Sequence, residues 1–234
     1  MQKFQYTVSR TRKLTTGLSL SIHPEKGVRV RAPFWVPDLV IRKFVEEKRA
    51  WIEKHLSKIK PTPTTATTYL EGEKHLYFGQ EYSLNIISSD ALRRTEAQIA
   101  GENISVSVYS GHAEEKRHDE IKEAILRFYL EVGIGVITEK VNLYSSQLGV
   151  EYSQIDIKKV SSIWGSCSPT NRLCFNRKLV MAPHEVVDYV VIHEVCHMVH
   201  RNHSSRFWGL VAKFDPKYKE HRRWLHRNHL LLTL

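Results

Sequence analysis

The chain is poor in cysteine and has no long apolar segment. Three cysteines in 234 residues, without a Cys-x-x-Cys pair, form no disulfide framework, which is typical of proteins in a reducing compartment. A membrane-spanning helix needs about 18 consecutive apolar residues, and no apolar run approaches that length. Residues 1–13 also lack the apolar core of a signal peptide. These absences predict a cytoplasmic protein that does not cross a membrane.

The net charge of +10 is unevenly distributed. Residues 1–60 and 197–234 are rich in lysine and arginine, whereas residues 61–196 carry more acidic than basic side chains. Basic stretches could attract nucleic acid or acidic protein segments. Those near the amino terminus contain Arg10, Arg12, Lys13, Arg29 and Arg31. The more ordinary explanation is that these basic side chains lie on a solvent-exposed surface without a binding partner, and we favour it. The oligomeric state has no signature in the sequence.

One pentapeptide carries the strongest chemical signal. His193-Glu194-Val195-Cys196-His197 is an H-E-x-x-H pattern, and His203 follows six residues after its second histidine. On a helix, two imidazoles four residues apart lie on one face, where they can bind one divalent ion. Glu194 then lies beside the metal without being a ligand, and it can take a proton from an activated water. The pattern predicts a hydrolytic metal site.

The context of the pentapeptide favours a buried helix. Pro183 and Glu185 are typical of a helix start, and residues 186–195 are apolar on nearly every side. Desolvating two histidines and a glutamate on such a helix costs several kcal/mol unless they have partners. A bound metal ion would supply the partner.

The third ligand can be chosen between two histidines. If the helix continues, His200 lies about 10.5 Å along it from His193, which is too far for one shell of zinc ligands unless the helix breaks. Asn202 tolerates the left-handed conformation and could end the helix. The chain would then return His203 to the ion. We therefore predict His193, His197 and His203 as the ligands.

The ligand types predict one zinc ion. Three neutral imidazoles with an open fourth position suit catalytic zinc, which acidifies a bound water. A structural zinc would need a fourth protein ligand, and the candidates are Cys167, Cys174 and Cys196. On a helix, Cys196 points away from the two histidines and is better explained as a small buried residue.

The remaining pattern predicts an α+β protein in two domains. Residues 1–110 form a mainly β region with one helix that runs from Pro37 through Leu56, followed by a linker at Lys60–Thr68. Residues 111–234 form the catalytic domain, with a long helix from Glu114 to a stop at Gly149. Strands at Ile155–Val160 and Arg172–Leu179 flank a turn-rich Gly165–Pro169 segment.

Several segments together resemble the YgjP-like metallopeptidases, which are relatives of the SprT-type zincins. The resemblance is densest from Trp164 to Trp208 and covers nearly the whole chain. It rests on Trp164-Gly165-Ser166-Cys167-Ser168, Leu173–Leu179, Asp188–Glu194 and Asn202-His203-Ser204 with Phe207-Trp208, supported by Val30–Pro33, Trp51-Ile52 and Tyr77-Phe78-Gly79. Relatives carry an arginine before the Trp-Gly-Ser-Cys stretch, whereas this chain has Ile163.

The resemblance implies a zincin-like catalytic region with a long backing helix, a small sheet and the H-E-x-x-H helix. Its metal ligands match His193, His197 and His203, and its catalytic base matches Glu194. It also implies a protein or peptide substrate that pairs with an edge strand, for which Arg172–Leu179 is the candidate.

Two alternatives to an ordinary peptidase stay open. Some members of the family are described as UTP pyrophosphatases, although this chain has no phosphate-binding glycine-rich loop. The basic ends also fit a nucleic-acid-associated module with a structural zinc. SprT-type relatives that act on DNA-bound proteins combine that association with peptidase activity.

Overall fold

The chain divides into two compact units. The computed structural model describes residues 5–12, 17–23, 27–56, 67–90, 94–160 and 163–232. Unit 1 is Met1–Thr65 and unit 2 is Ala66–Leu234. The boundary predicted near residue 110 does not coincide with this division, because the strands before residue 110 share one hydrophobic core with the helices after it. Most of the predicted Lys60–Thr68 linker lies outside the described residues.

Unit 1 packs two helices against one face of a sheet. The strands are β1 (Tyr6–Thr11), β2 (Ser19–His23) and β3 (Gly27–Pro33), in the order β1-β3-β2. The helices are α1 (Asp38–Glu47) and α2 (Arg49–Leu56). Val28, Val30 and Ala32 alternate along β3 and are buried in the core with Ile41 and Ile52, as the period of two in a strand requires.

The single helix predicted for residues 37–56 is wrong. The chain breaks at Lys48, whose N–H bonds back to the carbonyls of Phe44 and Glu46. Neither proline nor glycine marks this break. Lys48 has a φ of −93° and a ψ of 4°, outside the helical range, and Ile41 on α1 and Ile52 on α2 are buried in the same core. Tertiary packing rather than local sequence therefore accounts for the division of the helix.

Unit 2 begins with a four-stranded sheet. Its strands are β4 (Lys74–Tyr77), β5 (Gln80–Ser89), β6 (Glu96–Ala100) and β7 (Asn103–Tyr109), in the order β4-β5-β7-β6. Ile104, Val106 and Val108 on the inner strand β7 are fully buried. They pack in one core with Ile121 and Ile125, which lie on the long helix that follows.

The long helix has the predicted limits. Helix α3 runs from Glu114 to Leu148, and Gly149 ends it in the left-handed conformation with a φ of 62°. Gly133 allows a close approach, because a Cβ atom there would lie 3.3 Å from the side chain of Val180. The helix can therefore lie against the segment that leads to the H-E-x-x-H helix.

A second sheet of unit 2 corrects the predicted strands. It contains β8 (Gln154–Lys158), β9 (Gly165–Cys167) and β10 (Arg172–Asn176), in the order β8-β10-β9. Gly165–Cys167 is thus a strand, although it was predicted as part of a turn. The strand predicted at Arg172–Leu179 ends at Asn176, whose Oδ1 accepts the N–H of Lys178 and starts a 3₁₀ helix, Arg177–Met181.

Three further helices complete unit 2. They are α4 (His184–Val199), α5 (Ser205–Phe214) and α6 (Tyr218–Asn228). Most residues of α4 are buried, as predicted from its apolar composition. On α4, Asp188 accepts hydrogen bonds from Lys140 at 2.8 Å and Tyr144 at 3.0 Å, both on α3. Among the described residues, no helix has the length and apolarity to cross a membrane.

The turn between β4 and β5 holds the start of α4. The N–H groups of Phe78 and Gly79 donate to the carbonyls of Val180 and Met181, at 2.7 and 3.1 Å. Gly79 has a φ of 80°, and a Cβ atom at this position would lie 2.7 Å from the Pro183 ring. Both the backbone conformation and the close contact therefore require glycine.

We predict that Gly79→Ala destabilises unit 2 more than Gly72→Ala. Gly72 has a similar φ of 77° but open space around it, so it measures the backbone cost alone, about 1–2 kcal/mol. Contact with Pro183 should add about 1–3 kcal/mol of overpacking. Denaturant unfolding of the two variants measures the difference. Equal losses of stability would contradict the proposed role of the contact.

Candidate metal centre

Three histidines from two segments meet at one point. His193 and His197 lie one turn apart on α4, with ring centroids 4.9 Å apart. His203 comes from the loop after α4, and its Nε2 lies 3.0 Å from the Nε2 of His193. One ring nitrogen from each of the three lies within 4.8 Å of the others. The structure thus brings together the three residues that the sequence predicted as ligands.

The loop that carries His203 does not begin as predicted. Helix α4 ends at Val199, and His200 is extended, with a φ of −127° and a ψ of 106°. Asn202 is not among the described residues with a positive φ, so the left-handed end predicted there is wrong. The loop ends at Ser204, whose Oγ accepts the N–H of Phe207 and caps α5.

A backbone carbonyl orients the His197 ring. Its Nδ1 lies 3.1 Å from the carbonyl oxygen of His200. Because a carbonyl can only accept, Nδ1 carries the proton and Nε2 of the neutral ring keeps a free lone pair. This is the arrangement that metal-binding histidines adopt. His200 therefore contributes its carbonyl to the site, and its own ring is not in the cluster.

Aromatic residues of α5 hold two of the rings in place. Phe207 is fully buried and stacks on His197 with a centroid distance of 4.4 Å. Trp208 stacks on His203 at 5.5 Å. The first turns of α5 thus form a wall that restricts the rotamers of both histidines.

Burial dominates the electrostatics of the site. It lowers the pKa of His193 to about 3, with smaller contributions from His197 and His203. Burial also lowers the pKa of His197 and raises that of Glu194 to about 8. The Nδ1 atom of His193 is buried without a hydrogen-bond partner in the described part of the chain. Burying these side chains costs free energy, and the described protein groups do not fully offset that cost with hydrogen bonds.

Glu194 lies against the backbone of β9. A Cβ atom on Gly165 would come within 2.6 Å of Glu194 Cγ and 2.7 Å of its Oε1. Glu194 is 5% exposed and does not belong to the three-histidine group. Because glycine has no side chain, Gly165 leaves the space in which the Glu194 carboxylate lies. No sequence pattern indicated this contact between Gly165 and Glu194.

Arg201 ties the histidine loop to the β9–β10 turn. Its guanidinium donates to the carbonyls of Ser168 at 2.7 Å and Pro169 at 3.3 Å, and to the side chain of Asn171. The Arg201 side chain therefore connects the loop that contains His203 to the turn that follows strand β9, the strand that packs against Glu194.

An open cleft of about 340 Å³ leads to His193 and Glu194. Ile163, where the family resemblance led us to expect arginine, lines it and is 44% exposed. Arg222 and His226 on α6 also line it, and the sequence analysis missed both. Their spacing of four on a terminal helix matches no motif, so only the packing of α6 reveals them.

The cysteines do not close the site. Cys196 is fully buried on α4, and burial raises its thiol pKa to about 12. Cys167 and Cys174 also lie outside the group, and no fourth Cys, His, Asp or Glu of the described residues joins it. This agrees with the prediction that Cys196 is a buried core residue.

Comparison with known proteins identifies the family. The YgjP-like metallopeptidase domain matches residues 16–228, and the search of curated proteins finds no match. Two metallopeptidase zymogens of known structure each align with 39% of this chain at a TM-score of 0.36. Abylysin of Pyrococcus abyssi is 21% identical over 93% of its chain, and jannalysin of Methanocaldococcus jannaschii 23% over 94%. Since the family match spans nearly all of the sequence, the protein belongs to the YgjP-like metallopeptidases.

Proposed function

We propose that the protein is a zinc-dependent peptidase that hydrolyses peptide bonds in proteins or peptides. One zinc ion is held by His193, His197 and His203, and Glu194 is the general base. Helices α3 and α4 and the β8-β10-β9 sheet form a zincin-like catalytic region. The observation that carries this proposal is the meeting of three ring nitrogens within 4.8 Å beside a buried carboxylate that is not one of them.

The donor set suits zinc. Burial keeps His193 and His197 neutral, and the Nδ1–H of His197 is engaged by a carbonyl, so its Nε2 is available to a cation. Imidazole nitrogens are common zinc ligands, and three of them leave a position for water or substrate. The absence of a fourth ligating side chain among the described residues supports a catalytic rather than a structural ion.

The chemistry is divided between the ion and the protein. When bound, zinc supplies a Lewis acid that acidifies water and polarises the scissile carbonyl. Glu194 accepts the proton of the attacking water and passes it to the nitrogen of the leaving amine. Gly165 leaves room for the carboxylate, and Phe207 and Trp208 keep the imidazoles oriented.

Strand β9, rather than β10, is the candidate for pairing with an extended substrate. β10 lies between β8 and β9, so both of its edges are already hydrogen-bonded. β9 has β10 as its one strand neighbour in the described chain and contains Gly165, which touches Glu194. A peptide added to the free edge of β9 would run beside the carboxylate.

Glu194→Gln should abolish peptide hydrolysis while zinc content and thermal stability stay near those of the wild type. The amide keeps the shape of the side chain but cannot accept the proton. Hydrolysis of a protein panel, zinc stoichiometry and thermal unfolding measure the three properties. Proteolysis at the wild-type rate would contradict the mechanism, and wild-type activity on UTP without cleavage of any protein would favour the pyrophosphatase alternative.

His203→Ala should lose most of the bound zinc, whereas His200→Ala should retain it. His203 contributes a ring nitrogen to the cluster, while His200 contributes only a backbone carbonyl, which alanine preserves. Metal analysis after dialysis against a weak chelator compares the two variants. Loss of zinc from His200→Ala alone would overturn the ligand assignment.

Gly165→Ala should lower kcat by about tenfold or more with zinc still bound. The added methyl group overlaps the Glu194 side chain, and small displacements of catalytic groups are costly. Gly135→Ala, in open space on α3, is the control for the glycine replacement itself. Unchanged kcat in Gly165→Ala would show that β9 does not position the carboxylate.

A further inference from the structure

The outer face of the unit 1 sheet has a regular arrangement of side chains. Arg29 and Arg31 point outward from the central strand β3, since Val28, Val30 and Ala32, which alternate with them, are buried. The strand register places hydroxyl residues on both sides of each arginine. One row is Thr7, Arg29 and Ser21, and the next is Ser9, Arg31 and Ser19. All six residues are exposed.

This outer face contains no acidic residue at the described strand positions. The described carboxylates of unit 1 lie on its helices, where Asp38 pairs with Arg10 and Glu46 with Arg49. Helices α1 and α2 cover the opposite face through the core around Val30. In the described part of the chain, neither Arg29 nor Arg31 is assigned an ion pair or a side-chain hydrogen bond.

The structure also separates the basic residues that the sequence grouped together. Arg10 is engaged with the carbonyls of Phe34 and Val36 and with Asp38. Lys13 lies outside the described residues. Arg12 follows β1 and contacts the Phe34 ring. Of the described residues in this group, Arg29 and Arg31 are the two whose side chains lie on the outer face of the sheet.

Arg29 and Arg31 lie two residues apart on one strand, so their Cα atoms are about 6.6 Å apart along it. Two arginines at this spacing on one face suit successive anionic groups of a chain. Arginine binds phosphate oxygens in a bidentate manner, and serine and threonine hydroxyls donate to the same oxygens. We infer that the outer face of the β1-β3-β2 sheet binds single-stranded nucleic acid through its phosphates. This inference does not depend on the peptidase activity.

Exposed aromatic rings favour unpaired bases over a duplex. Phe34 and Trp35 follow β3, three and four residues after Arg31, and are 60% and 61% exposed. Arg12 lies over the Phe34 ring, 5.8 Å from its centroid. Aromatic rings beside basic groups are the usual platform for single strands, because a base stacks on the ring while its phosphate is neutralised.

Fluorescence anisotropy of a labelled oligothymidine with the full-length protein tests this inference. We expect the double variant Arg29→Gln, Arg31→Gln to bind at least about tenfold more weakly. Its dependence of log Kd on log salt should be shallower by about 1.4, since each lost phosphate contact on a single strand removes about 0.7. Phe34→Ala should weaken binding about fivefold or more.

The matched control is Arg42→Gln, Lys43→Gln on α1. Both residues are exposed, so this variant removes the same charge from a helix on the other side of the sheet, and its affinity should stay within about twofold of the wild type. Circular dichroism verifies that each variant is folded.

Four results would overturn the inference. They are no binding of oligothymidine by the wild type, equal weakening by the two double variants, duplex binding as tight as single-strand binding, and preferential binding to anionic phospholipid vesicles. The second would reveal a general effect of net charge, and the last would identify a lipid surface as the partner.

Discussion

Desolvation of polar groups on a buried helix is the constraint on which the rest of unit 2 depends. Helix α4 is surrounded by apolar side chains, yet it carries His193, Glu194 and His197. Burial lowers the pKa values of the two histidines and raises that of Glu194. Each shift favours the neutral form of the side chain, which shows how strongly the site disfavours uncompensated charge. A divalent cation placed among the rings would reverse this cost for the carboxylate and give the imidazole lone pairs a partner.

Two regions that are distant from α4 in sequence, the β4–β5 turn and strand β9 with the turn that follows it, keep this helix and its partners in position. The β4–β5 turn bonds to the 3₁₀ helix and packs on Pro183 at the start of α4. Strand β9 backs Glu194 through Gly165, and Arg201 fastens the β9–β10 turn to the loop that ends at His203. Backbone groups, glycines and aromatic rings therefore hold the histidines and Glu194 in position.

The two units present different chemistry. Unit 2 contains the three-histidine group with the buried Glu194, while unit 1 exposes charged and hydroxyl side chains on a sheet face. Side chains of β3 alternate between the two faces of the unit 1 sheet. Its valines point toward the helices, and its arginines point toward solvent. The proposed hydrolytic centre and the proposed surface for a polyanion thus belong to different units of the chain.

Local physics made much of the site predictable. The spacing of His193 and His197 is a property of any helix, and Gly149 ends α3 because glycine adopts the left-handed conformation without strain. His203 was predicted over His200 from the rise of a continuing helix, but α4 ends at Val199 and His200 is extended. The His200 ring lies outside the cluster because of the path of this loop. The break at Lys48 and the strand at Gly165–Cys167 escaped prediction, since neither carries a local signal and both depend on packing partners elsewhere in the chain.

The sequence by itself determined the chemical groups of the centre, the helix that carries two of them and the family to which the chain belongs. Only the tertiary structure decided that β9 lies at an edge of the sheet formed by the described strands, that Gly165 makes room for Glu194, and that Arg222 and His226 line the cleft. It also decided which hydroxyls flank Arg29 and Arg31. These features depend on contacts between residues far apart in the chain, and the periodicity of one segment contains no information about the register of its partners.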